Sequence, residues 1–225
     1  MGITVNELAR LYPRLYHMAH RDSWASIQEH GLLSTSALLD LFEKNGEERE
    51  KLETRHRPES VTITHPVGSA AVVRDQKPMS DEGLRRALGS SGLAPADWYR
   101  ILNSKVFFWL TEERLARLLG ANAYREDEHC VLTVDTRSIL ADHENDVRLC
   151  PINSGCTKPF PWPRDGDTFL TMTDYPFEDW FRRRAGHDPV VEVAIEQGVR
   201  DITKYVLRVE LRQEARISTV LYVKE

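Results

Sequence analysis

"RLYHMAHRDSWASIQEHGLLS", residues 14–34, changes character partway along. Residues 14–18 form a short, half-apolar run of the kind that makes a strand. Asp22 or Ser23 then suits the cap of a helix, and Gly31 stands where a left-handed C-terminal residue is favoured. A strand passing straight into a helix places two histidines, His17 and His20, at the join. The expected fold is built outward from that junction.

Further along, residues 35–56 read as helical with a break at Gly46. Residues 58–78 read as loop around the short apolar stretch "SAAVVRDQ", which ends in Arg74-Asp75-Gln76. Helices are expected over 80–89 and 95–103, the second opened by Pro95, a residue suited to a first helical turn. "KVFFWL" (105–110) is a compact apolar strand, followed by a helix with Thr111 as cap, Glu112 and Glu113 in its first turn and Gly120 as stop. "HCVLTVDT" (129–136) is a further strand. Residues 150–174 are rich in Pro, Gly and Ser and predict a long ordered loop. A short helix is expected around "FEDWFRRR". Strands over 189–196, 205–211 and 217–223 close the chain. Helices gather early and strands late, without regular β-α-β alternation, which favours a mixed α+β domain over a doubly wound one.

The bulk composition narrows the function classes. The 225 residues carry a formal charge of −5, with 41% hydrophobic and 29% charged residues. This is an ordinary globular balance, and the acidic net charge argues against coating nucleic acid by charge alone. A local basic patch stays compatible with it. No apolar run approaches the ~18 residues of a membrane span, so no membrane partner is expected. The start of the chain lacks the apolar core of a signal peptide. Cys130, Cys150 and Cys156 make an odd count without framework spacing, consistent with reduced thiols in a cytoplasm.

There is no G-x-S-x-G, no G-x-G-x-x-G and no P-loop in the sequence. Cys150 and Cys156, with His143 and His187, do not have structural zinc spacing, and no metal is expected. A scattered set of chemical side chains remains: His17, His20, Arg74, the aromatic strand around Phe108 and Trp109, and Glu192. In "PVVEVAIE" alternation places Val191, Val193 and Ile195 on one face and Val190, Glu192 and Ala194 on the other. A carboxylate among apolar neighbours in mid-strand must be paired, hydrogen-bonded or used, unless that face is solvated. Arg74 has a plain alternative as a surface arginine at a strand end.

Together these pieces resemble the ADP-ribosyltransferase fold in its toxin-like branch, and within it the DNA-modifying ADP-ribosyltransferase toxins of bacterial toxin–antitoxin pairs. "LYHMAHRDSWASIQEHGLL" is similar to that family's opening Tyr-His strand and the helix after it. Arg74 and "VFFWL" echo its arginine and aromatic strand, and "VEVAIEQGVRDITKYV" follows its late glutamate strand. The matches keep their order across residues 14–210. Ala19 and Ser23 stand where the family has threonine and asparagine, and Phe-Phe-Trp-Leu-Thr replaces a Pro-flanked aromatic run, so the chain resembles a sister family as much as a member.

The resemblance implies one α+β domain over residues 1–225, with mixed or antiparallel sheets around an NAD cleft, helical insertions and a long loop or insertion at about 137–188. It implies transfer of ADP-ribose from NAD to a nucleic acid base, a protein or a small molecule, with a cognate antitoxin as partner. Hydrolysis of NAD by the same cleft and a non-catalytic nucleotide-binding module are the alternatives. An RNA 2′-phosphotransferase shares such a cleft but uses several arginines absent here. In the implied roles His17 holds the adenosine-side ribose, and either Phe108 or Trp109 packs on nicotinamide, strand parity admitting one of the two. Glu192 binds the nicotinamide-ribose hydroxyl and Arg74 meets the pyrophosphate or steadies the acceptor. His20, placed beyond the strand, is structural or cofactor-binding. Trp162 and Phe160 stack an acceptor base while Arg182, Arg183 and Arg184 meet phosphate; otherwise the aromatics pin a loop and the arginines end a helix at its negative pole.

Overall fold

The strand that opens at Arg14 runs to His20, two residues beyond the expected stop, and becomes the middle of a seven-stranded sheet. The computed structural model describes residues 2–185 and 188–225; His187 lies outside the described residues. The first half of the chain runs α1 (Val5–Leu11), β1 (Arg14–His20), α2 (Trp24–His30), β2 (Leu32–Leu33), α3 (Thr35–Leu41), α4 (Gly46–Thr54), β3 (Val61–Thr64) and β4 (Ala70–Val73). The centre holds α5 (Asp81–Leu88), α6 (Pro95–Asn103), β5 (Lys105–Trp109), α7 (Glu112–Leu119), β6 (His129–Asp135) and α8 (Thr136–Asp142). The last part holds β7 (Val147–Cys150), α9 (Phe177–Arg183), β8 (Glu192–Glu196), β9 (Gly198–Val199), β10 (Val206–Gln213) and β11 (Arg216–Val223). The fold is α+β. No helix among the described residues is long and apolar enough to cross a membrane.

The large sheet has the order β11-β10-β6-β1-β5-β8-β7, and each adjacent pair is antiparallel. One face carries Leu15, Val106, Phe108, Leu132 and Val193 into the main core, where they meet Leu8 of α1, Trp24 and Ile27 of α2, and Ile139 and Leu140 of α8. On the other face Met18 and Val131 pack under Leu115 and Leu119 of α7 and against Tyr124. The segments between β2 and β5 build two smaller cores, one around Phe42, Leu52 and Ile63 and one around Trp98 and Tyr99.

Two stretches differ from expectation. Residues 58–78 contain the β3–β4 hairpin, with Ile63 and Val73 buried, because "VTIT" and "AAVV" pair with each other across a short turn. Residues 137–188 contain most of α8, all of β7 and all of α9, so the long irregular run among the described residues spans 151–176, tied to the sheet by a bridge between Leu149 and Leu170. Helix α1, with its Thr4–Glu7 capping box, adds an element before the first strand.

The expected break at Gly46 and stop at Gly31 are both present, but for different reasons. Gly31 has φ of 87° and ψ of 173°, and a Cβ there would sit 2.4 Å from Arg200 Cα. Gly46 has φ of 59° and open space around it. Gly31→Ala is therefore expected to cost on the order of 3 kcal/mol and Gly46→Ala about 1 kcal/mol, because the first adds a backbone clash to the left-handed penalty. Urea unfolding of the two variants measures the difference; equal losses would mean that the close approach at Arg200 is not enforced.

Candidate functional site

Strand β1 pairs with β6 along its whole length, from Arg14 with Asp135 to His20 with His129. On its other side it meets β5 at one register pair only, Tyr16 with Trp109. Beyond that rung the two strands part, while β5 stays paired with β8 through five positions ending at Trp109 with Glu192. The gap is a cleft of about 290 Å³, near the lower bound for small-ligand sites. His17, His20, Arg74, Phe108, Trp109 and Glu192 all line it.

A strand that leaves its neighbour strands backbone polar groups, which need other partners. His17 supplies one: its Nδ1 lies 2.8 Å from the Phe107 carbonyl oxygen. A carbonyl only accepts, so Nδ1 carries the proton and Nε2 keeps its lone pair. Burial pushes the imidazole down to about 4, outweighing the bond to Phe107, and the ring is neutral at neutral pH. Its ring lies 5.7 Å from that of Phe108. Arg74 supplies the other, donating from Nη1 to the Met18 carbonyl oxygen, with its guanidinium 4.9 Å over the Tyr124 ring. It is enclosed rather than a surface arginine, and burial lowers its pKa.

His20 belongs to the strand, on the opposite pleat from His17, and sits at the cleft rim, where its Nδ1 accepts from the Asp22 backbone N–H at 3.3 Å. The expectation that parity admits only one of Phe108 and Trp109 does not hold. The cleft opens along the free edge of β5 rather than over one of its faces, so Phe107, Phe108 and Trp109 all border it. Phe108 is at the same time a core residue, 1% exposed.

Glu192 is 4% exposed, which removes the solvated-face alternative. Its Oε2 accepts from Ser154 twice, from the hydroxyl at 2.6 Å and from the backbone N–H at 3.2 Å. Oε1 has no hydrogen-bond partner among the described residues. Burial pushes this carboxyl up to about 7, against the opposing pull of the Ser154 bonds and of Arg164 and Arg114. A neutral imidazole with a free acceptor and a carboxyl that ionises near neutrality thus share one cleft.

The sequence alone did not point to Ser154, Arg57 or Arg164. Ser154 sits in "PINSGC", a loop without regular periodicity. Buried Arg57 donates from Nε to Arg74 O at 3.1 Å and from Nη2 to Asn103 Oδ1 at 2.9 Å, tying the end of β4 to α6. Burial brings it down to about 10. Isolated arginines in loops carry no periodic signal, and only the folded contacts single them out.

A second, wider groove of about 1040 Å³ lies next to the cleft, and Asn153 lines both. Phe160, 85% exposed, and Trp162, 58% exposed, border it with Arg114, Arg117, Lys158 and Arg184. Arg114 pairs with Asp188 at 2.9 Å. Arg117 and Lys158 have no carboxylate partner among the described residues. Arg182 and Arg183 do not line the groove. Arg182 pairs with Asp179 and Arg183 lies over the Trp180 ring, because successive helical residues point about 100° apart and only Arg184 turns toward it. Cys150 is buried, whereas the Cys156 thiol lies on the groove side, and no trio of His, Cys, Asp or Glu converges on a metal position among the described residues.

The raised carboxyl gives a stability test. An unfolded chain ionises Glu192 near 4.5, whereas the folded chain holds the proton up to about 7. The folded state therefore binds more protons in that window, and its advantage is lost as pH rises through it. Glu192→Gln is expected to gain on the order of 2 kcal/mol over the parent chain between pH 5 and pH 8, read by urea unfolding. A difference that stays constant with pH would show that this carboxyl is not held protonated.

A comparison with curated proteins finds no match. Residues 13–206, from the Pro before β1 to the first residue of β10, match the family model described as Family of unknown function (DUF7002). That stretch contains every residue lining the cleft. The chain belongs to the DUF7002 family.

Proposed function

We propose that this protein is an NAD-dependent ADP-ribosyltransferase of an ADP-ribosyltransferase-like fold, using the cleft where β1 and β5 part. The observation that carries this is the pairing of His17 Nε2, an unprotonated acceptor, with Glu192, a buried carboxyl with a free oxygen, in that one cleft. A ribose hydroxyl donates one hydrogen bond, and both groups can accept it. His17 Nε2 would accept a hydrogen bond from a hydroxyl of one ribose, and Glu192 from a hydroxyl of the ribose next to nicotinamide. Arg74 keeps N–H donors beyond those given to the Met18 carbonyl and His129 Nδ1, which suits a pyrophosphate oxygen.

In the transfer, the bond between ribose carbon and nicotinamide nitrogen breaks, and nicotinamide leaves as a neutral molecule with the bonding pair. The same carbon bonds an oxygen or nitrogen of the acceptor, whose proton passes to Glu192 or to water. Positive charge builds on the sugar in between, and an ionised carboxylate in a water-poor site lowers that barrier. Ionisation near neutrality lets Glu192 serve both as this counter-charge and as a base. The adjoining groove, where Arg117 and Lys158 have no carboxylate partner among the described residues and two aromatic rings are exposed, suits an acceptor that carries phosphate and a stackable base. Free thiols at Cys130, Cys150 and Cys156 go with a reducing cytoplasm.

The test is incubation of the chain with labelled NAD and separate pools of DNA, RNA and protein, following label transfer and nicotinamide release. Glu192→Gln is expected to lose at least about 100-fold of nicotinamide release. Trp162→Ala is expected to lose label transfer while keeping nicotinamide release. Release without any labelled pool would favour water as acceptor. Neither release nor label from the parent chain would leave a nucleotide-binding module without turnover, and unchanged turnover in Glu192→Gln would remove this carboxylate from the reaction.

A further inference from the structure

Glu192 is held in an unusual way. Ser154 gives both of its donors to Oε2, and among the described residues no guanidinium forms an ion pair or hydrogen bond with the carboxylate. The cation instead stands one residue back. Arg164, 3% exposed, donates from Nη1 to the Ser154 carbonyl at 2.7 Å and from Nη2 to the Cys156 carbonyl at 2.9 Å. Its guanidinium lies 5.3 Å over the Trp98 ring, and Trp98 Nε1 also reaches the Ser154 carbonyl at 3.4 Å. Burying an arginine is costly, and here its donors go to fixing a serine in a long irregular loop.

That placement has a chemical consequence. A bidentate arginine on Glu192 would occupy both oxygens and hold the carboxylate ionised and inert. Routing the cation through Ser154 fixes one oxygen and leaves Oε1 open to the cleft. We infer that Ser154, braced by Arg164, is the positioning residue that orients Glu192 and sets the pH at which it becomes a working carboxylate. This rests on the transferase reading for its meaning in catalysis, but the coupling between the two side chains is a property of the folded chain alone. The other groups facing Glu192 are Arg114 from α7 and the Cys150 thiol from β7, with uncharged Trp109 opposite on β5.

The proposal is tested by infrared difference titration of the Glu192 carboxyl, with Glu192→Gln as the blank, on the parent chain, Ser154→Ala and Arg164→Lys. Loss of the serine hydroxyl removes a donor to the charged form, so the midpoint in Ser154→Ala is expected to rise by about one pH unit. Arg164→Lys keeps a cation but cannot bond both carbonyls with the same geometry, and a smaller rise is expected. The acidic limb of the pH profile for nicotinamide release should move with the carboxyl, giving a roughly tenfold loss at pH 6 and recovery within about threefold at pH 9. An unmoved midpoint in Ser154→Ala, or a uniform loss of rate with the limb in place, overturns the assignment. If Ser154→Ala does not fold, the Arg164→Lys midpoint decides. Absence of NAD turnover in the parent chain would defeat the transferase reading alone, since the infrared titration needs no NAD.

Discussion

The whole arrangement depends on a ladder that stops after one rung. Tyr16 and Trp109 pair, and beyond them β1 and β5 separate while each stays bound to its other neighbour. Opening a sheet in its middle exposes backbone donors and acceptors that cannot be left dry. Side chains take over the task, His17 at the Phe107 carbonyl and Arg74 at the Met18 carbonyl. The cleft therefore persists because its walls are hydrogen-bonded by side chains that also line it.

Those bonds also fix the electrical state of the cleft. Donation to Phe107 locks the His17 tautomer, and burial keeps the ring neutral, so it presents a lone pair rather than a charge. Burial acts on Glu192 in the opposite chemical sense and delays its ionisation to near neutrality. A neutral base on one wall and a carboxyl poised to ionise on the other make a site suited to hydroxyl-bearing ligands. Arg57 and Arg74 hold the wall contributed by β4, where desolvation costs are met by carbonyl and amide partners.

The irregular chain from 151 to 176 links the cleft to the outside. It carries Ser154 against Glu192, Arg164 into the interior, and Phe160 and Trp162 out to the wider groove. Asn153 borders both spaces, so a ligand in the groove and one in the cleft would meet at the loop that holds the carboxylate. Helix α7 closes the same corner from the other side, with Arg114 paired to Asp188.

The sequence by itself determined the strand–helix junction at 14–31, the helices at 81–88 and 95–103, the Thr111-capped helix at 112–119, the apolar strands at 105–109 and 129–135, and the α+β class, because periodicity and helix-start signals are local properties. It also marked His17, Arg74 and Glu192, each a polar side chain beside or within an apolar strand run. The β3–β4 hairpin was hidden by short strands that gain burial only from α3 and α4 around them, and α1 by a capping box outside the strand-centred pattern. Only the tertiary structure decided that Glu192 is buried, that Phe108 and Trp109 both border the cleft, that Arg184 rather than Arg182 or Arg183 reaches the groove, and that Ser154 and Arg164 belong to the site. Each of these depends on where two strands separate and on which distant segment fills the space, and neither is encoded in the spacing of residues along one segment.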